Sequence, residues 1–132
     1  MLVYRNNVFY LPEVGKGLTK LSHTGGDSIY NGITDWLYGE KILRTDKAVW
    51  WSPDGDRLAY ATFNDSEVDS ISYPKYGAFN DPNNIFTEMV SLRFPRAGRK
   101  NPTVTVWTVD LRSVQPDYAT QRVSPPGEIL DR

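Results

Sequence analysis

The chain has no cysteine and a single histidine, His23. Without thiols there is no disulfide framework and no thiolate metal site, and one imidazole cannot assemble a zinc centre by itself. His23 therefore reads as a loop or sheet-surface residue, and neither a metal nor a cofactor is expected. No apolar run approaches the roughly 20 residues that a spanning helix needs, and the N-terminus lacks a signal-peptide pattern. The net charge of −1 gives no overall attraction to nucleic acid or anionic lipid, so no nucleic-acid partner is expected.

What is abundant is aromatic. Four Trp and eight Tyr bring the aromatic share to 13% in 132 residues, which favours an aromatic-rich sheet system over a helical bundle. The densest stretch runs from Ala48 to Asn64, AVWWSPDGDRLAYATFN. It reads as two strands, with Leu58, Tyr60 and Thr62 on one face of the second arm. Ser52-Pro53-Asp54-Gly55 supplies a proline with fixed φ and a glycine free to take φ > 0, so the chain can reverse between the arms. Asp54 and Asp56 belong to that turn rather than to a metal site. A hairpin of the form W-S-P-D-G-x-x-L-A-Y recurs in β-propeller blades, whose sheets bury their faces against neighbouring blades.

Taken in order, the chain begins with another hairpin, Leu2-Val3-Tyr4-Arg5 and Val8-Phe9-Tyr10-Leu11, joined at Asn6-Asn7. Paired asparagines tolerate the left-handed backbone that a two-residue turn demands. LTKLSHT, residues 18–24, reads as a third short strand and Gly25-Gly26-Asp27 as a turn. From Asp35 to Ile42 a short helix is expected, capped by Thr34 or Asp35, with Trp36, Leu37 and Ile42 as apolar contacts and Gly39 limiting it to one or two turns. Between Asp69 and Thr87 the sequence DSISYPKYGAFNDPNNIFT has no sustained period and is too long for an ordinary connection of about 4–6 residues. It reads as an excursion from the sheet with a brief strand of its own. Its apolar members Ile71, Tyr73, Tyr76, Phe79, Ile85 and Phe86 are too many for a purely solvated loop. Order resumes at Met89-Val90-Ser91-Leu92-Arg93-Phe94, and residues 103–111, TVTVWTVDL, form the cleanest alternating strand. Starting and ending within a sheet pattern, the chain reads as a fragment expected to be marginally stable alone.

Three motifs in this order, YNGITDWLYGEKIL, AVWWSPDGDRLAYATFNDSEV and FPRAGRKNPTVTVW, resemble the N-terminal propeller of the dipeptidyl peptidase IV family. The resemblance covers roughly residues 2–111. It implies an all-β fold: about two blades of an eight-bladed β-propeller, with one short helix near Asp35 and Ile42. It further implies a type II membrane protein, or a secreted form of it, on the extracellular side of the plasma membrane. The parent would carry a C-terminal α/β-hydrolase domain with a Ser-Asp-His triad that releases N-terminal Xaa-Pro or Xaa-Ala dipeptides. This chain contains no G-x-S-x-G elbow, and no catalytic residue is assigned to it. The parent is thus either a serine-type dipeptidyl peptidase or a non-catalytic membrane subunit that uses the same propeller to bind a channel or another protein.

The family places two adjacent glutamates on the short helix to hold the ammonium of the substrate N-terminus through charge-assisted hydrogen bonds. Ungapped from Trp50-Trp51, the resemblance puts the first on Glu40 and the second on Lys41, with Gly39 before them. One carboxylate is kept and one is replaced by a cation. Asn64-Asp65-Ser66 is an N-x-S sequon at a position where relatives often carry a glycan. The sequence Asn101-Pro102-Thr103 is blocked by its proline. The excursion between Asp69 and Thr87 is expected to mediate a homodimer. Arg93, Arg96, Arg99 and Lys100 read as a solvated basic loop.

Overall fold

The computed structural model describes residues 1–78, 80–113 and 118–127. Among the described residues, ten strands are arranged in three antiparallel sheets. The first sheet joins β1 (Leu2–Tyr4), β2 (Asn7–Tyr10) and β3 (Thr19–Lys20). The second has β4 (Ile29–Asn31), β5 (Val49–Trp51), β6 (Arg57–Asn64), β9 (Thr103–Asp110) and β10 (Ala119–Val123) in the order β10-β9-β6-β4, with β5 also on β6. The third is a two-stranded ribbon of β7 (Ser70–Lys75) and β8 (Glu88–Arg93).

Strand β6 lies at the centre because both of its faces are apolar. Leu58 and Tyr60 turn toward the first sheet and pack with Val8, Leu21, Val109 and Tyr118. Ala61 and Phe63 turn the other way onto Ala48, Tyr30 and Tyr38. A strand whose successive side chains point to opposite faces can serve two cores only if neither face is polar, and β6 meets that condition. All eight of its residues pair with β9, from Arg57↔Asp110 to Asn64↔Thr103. The expected 48–64 hairpin is present, with Val49↔Tyr60 and Trp51↔Leu58 in register. Gly55 takes φ +77° in its turn, which Ser52 N–H closes by donating to Arg57 O at 3.0 Å.

Several local expectations shift. The first hairpin turns at Arg5-Asn6, both at positive φ (46° and 58°), rather than at Asn6-Asn7. The cause is tertiary: the buried Asn7 side-chain oxygen Oδ1 accepts from Ser22 Oγ at 3.2 Å and Gly25 N at 3.0 Å, which draws Asn7 into the strand. Only Thr19–Lys20 of LTKLSHT is strand, and the following turn closes through a Gly26↔Ile29 bridge over Asp27-Ser28. The segment at Met89 pairs with β7, so the excursion carries its own strand, as expected, and supplies one arm and the tip of a ribbon. Phe79 lies outside the described residues.

Gly32 makes a three-way junction. Its N–H donates to Ala61 O (2.9 Å), its carbonyl accepts from Ala48 N (3.1 Å), and Ala61 N donates to Ala48 O (2.9 Å). At φ +71°, a Cβ here would lie 2.6 Å from Val8 Cγ2 and 2.9 Å from Val49 Cγ2. Gly55 has a similar φ but open space around it. Gly32→Ala is therefore expected to cost about 3 kcal/mol, from backbone strain plus overpacking, and Gly55→Ala about 1 kcal/mol. Urea unfolding midpoints of the two variants check this; equal losses would mean that the junction is not sterically closed.

Candidate functional site

The loop between β4 and β5 is pinned at its base. Ile33 bridges Lys47, Thr34 N donates to Asp46 O (3.2 Å), and Thr34 Oγ1 donates to Thr45 O (2.9 Å). Above that base sits one helical turn, Tyr38–Ile42, wound wider than an α-helix: Leu43 N reaches Tyr38 O at 2.7 Å. Of the two expected caps Asp35 is the one used. Its Oδ2 accepts from Leu37 N (3.2 Å) and its Oδ1 from Tyr38 N (3.1 Å). Thr34 is committed to Thr45 instead. Ile42, expected to be an apolar contact, is 54% exposed, because the wider winding rotates it away from the sheet. The inward contacts come from Tyr38, whose ring lies 4.9 Å from Phe63, and Trp36, 4.5 Å from Phe94 at the ribbon base.

Gly39 belongs to the same geometry. A Cβ there would stand 2.8 Å from Thr34 Oγ1, so this turn lies tight on the base of the loop. Thr34, Asp35, Trp36, Gly39, Glu40, Arg44, Thr45 and Asp46 line an open cleft of about 490 Å³. Glu40 is exposed on its rim. Lys41, next in sequence, does not line the cleft; its Nζ stands 5.8 Å from the centre of the Trp36 ring. The two adjacent candidates thus take different directions from one turn.

Behind the cleft the electrostatics are unusual. Asp35 is buried, and desolvation raises its pKa against the pull of the Tyr38 and Leu37 amides. Asp65, just after β6, is 2% exposed, and its Oδ1 has no hydrogen-bond partner. Burial, with the charge of Asp35 adding to it and Arg93 opposing, pushes the Asp65 carboxyl up to about 6. Tyr38 is raised by burial and by Asp35. The sequence reading missed this pair; the signal available was an aspartate directly after a strand whose last residues are apolar on one face.

The remaining candidates are placed plainly. Asn64 ends β6, half-buried, with its Oδ1 accepting from Ser66 N at 2.9 Å. His23 is exposed. Asp54 accepts from Ser52 Oγ and Asp56 N, which is turn chemistry. The basic stretch is not simply solvated. Arg93 donates to Val68 O (2.8 Å), Arg99 forks onto Asp69 (2.9 and 3.1 Å), and Lys100 pairs with Glu67 (3.6 Å), so these cations have partners at the ribbon base while Arg99 and Lys100 stay largely exposed. Arg99 holds the Asp69 carboxyl below its usual range. No group of three or more metal-ligating side chains occurs among the described residues. No helix among them is long and apolar enough to cross a membrane.

Antiparallel sheets stacked around a two-faced strand, with a side ribbon and a capped turn on the inter-strand loop, define a piece of a β-propeller. The family described as "Dipeptidyl peptidase IV (DPP IV) N-terminal region" matches residues 1–132. The chain belongs to that family. It is 37% identical to dipeptidyl peptidase 4 of Bos taurus over 97% of its length and 17% of the relative's. Prolyl endopeptidase FAP of Mus musculus is 43% identical over 82% of this chain and 14% of that one. The crystal structure of Porphyromonas gingivalis dipeptidyl peptidase 4 superposes with a TM-score of 0.78 at 28% identity, covering 94% of this chain and 16% of that one. The chain therefore spans only a small part of the relatives it matches.

The cap on this turn is open to a direct test. Asp35→Ala removes both amide acceptors and should cost roughly 1–2 kcal/mol. Asp35→Asn, which keeps one carbonyl acceptor, should cost about half as much. Thermal unfolding of the two variants measures the difference, and a neutral Asp35→Ala would mean that the turn stands without its cap.

Proposed function

We propose that this chain forms part of a dipeptidyl-peptidase-IV-type propeller that gates access to a serine exopeptidase site, with Glu40 binding the free N-terminus of the peptide. The observation that supports this most is Glu40 itself: an exposed carboxylate on a capped turn at the rim of a cleft of about 490 Å³. An ammonium there would gain a charge-assisted hydrogen bond, and the turn's cap limits how far the carboxylate can wander. The parent would release Xaa-Pro and Xaa-Ala dipeptides.

Lys41 changes the expected strength of that anchor. With its ammonium 5.8 Å from the ring of Trp36, one wall of the cleft, Lys41 adds a like charge near the anchor while the second carboxylate is missing. A charge-assisted hydrogen bond is worth roughly 1.5–3 kcal/mol, or about ten- to hundredfold in kcat/KM. A peptidase carrying this propeller should cleave Xaa-Pro substrates less efficiently than a two-glutamate relative by that factor. Lys41→Glu should recover most of the loss and Glu40→Gln should deepen it. Parity with a two-glutamate relative, together with no response to either substitution, would remove Glu40 from the site.

A second reading makes the parent a non-catalytic membrane subunit. It is favoured by the 37% identity to the inactive dipeptidyl peptidase 10 of Rattus norvegicus over 83% of this chain. The residue at the nucleophile elbow of the parent's hydrolase domain separates the two readings. Under both, the propeller faces the extracellular side and Asn64 accepts a glycan.

The ribbon is the proposed homodimer element. Tyr73, Tyr76, Ile85, Phe86 and Met89 expose 48%, 76%, 48%, 80% and 66% of their surfaces. Apolar exposure of that extent on one projecting element fits a protein contact. Deleting residues 73–84 from the parent should shift its mass toward monomer in light scattering at low concentration; an unchanged dimer would sink this assignment.

A further inference from the structure

The cleft that carries Glu40 holds a second exposed charge that the anchor does not use. Arg44, just past the helical turn Tyr38–Ile42, lines the same space of about 490 Å³. That volume is in the range of small-ligand pockets, so an occupant held at Glu40 meets Arg44 as well.

The backbone at Arg44 is a costly one for its residue type. Leu43 closes the turn at φ −86°, and Arg44 follows at φ +55°. Chains often leave a helical turn through this left-handed position, and glycine is its usual occupant because a Cβ is disfavoured there. The turn therefore gives no reason for a long side chain at this place, and neither does the rest of the fold. Among the described residues the ion pairs are Glu13–Lys16, Asp69–Arg99, Glu67–Lys100 and Asp110–Arg112, and the Arg44 guanidinium enters no hydrogen bond. Arg93, Arg99 and Arg112, by contrast, each have an oxygen partner.

The charges around the cleft sort by what already occupies them. Asp35 is buried, with both oxygens on backbone amides. Glu40 is the seat of the peptide ammonium in the reading given above. Asp46 is then the one anion left on the lining. Against it stand Arg44, and Lys41 with its Nζ 5.8 Å from the ring of the cleft residue Trp36. Once an ammonium sits on Glu40, cations outnumber anions on the remaining surface.

We propose that Arg44 is a specificity-determining residue that receives the side-chain carboxylate of a peptide whose first residue is Asp or Glu. In such a peptide the ammonium and the carboxylate belong to one residue, so a single occupant presents them together to Glu40 and Arg44. A guanidinium fork matches a carboxylate through two parallel hydrogen bonds. This substrate class rests on the reading of Glu40 as the ammonium anchor.

The test is calorimetric binding to the full-length parent, with alanine at the nucleophile-elbow position so that no peptide is turned over. The probes are Glu-Pro-Leu, Gln-Pro-Leu and Lys-Pro-Leu, each amidated at the C-terminus, so that a side chain supplies the only carboxylate. The Glu peptide should bind roughly three- to tenfold more tightly than the Gln peptide, the size of a charge pair at an open rim, and the Lys peptide should bind most weakly. Arg44→Gln should level the Glu and Gln peptides. Arg44→Lys, which keeps the charge but not the fork, should retain part of the difference. Arg44→Gly should abolish it without lowering the thermal unfolding midpoint, because glycine takes the left-handed position freely.

Equal binding of the Glu and Gln peptides by the protein with Arg44 intact overturns the proposal. So does a difference that survives Arg44→Gln, or a preference for the Lys peptide. The anchor is read separately, by Glu40→Gln and by N-acetylation of the Gln peptide. If neither weakens binding while the Arg44 effect persists, the ammonium reading fails and the carboxylate selectivity stands. If both weaken binding and the Glu peptide has no advantage, the anchor stands and Arg44 falls. No binding by any of the peptides removes both.

Discussion

The backbone junction at Gly32 is the constraint on which the other elements depend. Three short hydrogen bonds among Gly32, Ala48 and Ala61 tie the ends of β4 and β5 to the middle of β6. They also close the loop 33–47 at its root, so the turn above is held from both sides. Little space surrounds the three corners: Ala48 and Ala61 are buried at 0% and 2% exposure, and Gly32 has Val8 and Val49 against the space its Cβ would take.

From that junction the site follows in two steps. The pinned loop presents Asp35 beneath the turn, and Asp35 turns a segment of poor helical propensity into one ordered wide turn. The turn then divides its two charged residues, Glu40 to the cleft and Lys41 over Trp36. The cap on the turn limits where the exposed Glu40 carboxylate can stand. Trp36 also leans on Phe94, so the turn and the ribbon base share one aromatic contact.

Charged contacts at the ribbon root add to the apolar ones, Trp36 on Phe94 and the buried Val68. Arg99 on Asp69, Lys100 on Glu67 and Arg93 on Val68 O fasten its root, leaving its apolar side chains outward. Exposed ion pairs of this kind contribute little stability each, but several at one place restrict the direction in which an element projects. The same cations looked like a free basic loop in the sequence because their partners lie 25 to 33 residues earlier in the chain.

Much of this protein was determined by local sequence. Alternation in the 48–64 and 103–111 stretches, the Pro-Asp-Gly turn and the aspartate ahead of Trp36 are short-range features, and their strands, hairpin and cap appear where the residues put them. Family membership was legible too, since three motifs kept their order. Tertiary structure decided what depends on distant partners. Asn7 joined a strand because its side-chain Oδ1 accepts from Ser22 and Gly25, Ile42 turned outward because the helical turn widened, and the Met89 segment found its partner in β7. It alone buried both Asp35 and Asp65, thirty residues apart in the chain. Hydrogen bonds within a few residues are written in local composition; burial is a property of everything that surrounds a side chain, and no stretch of sequence carries it alone.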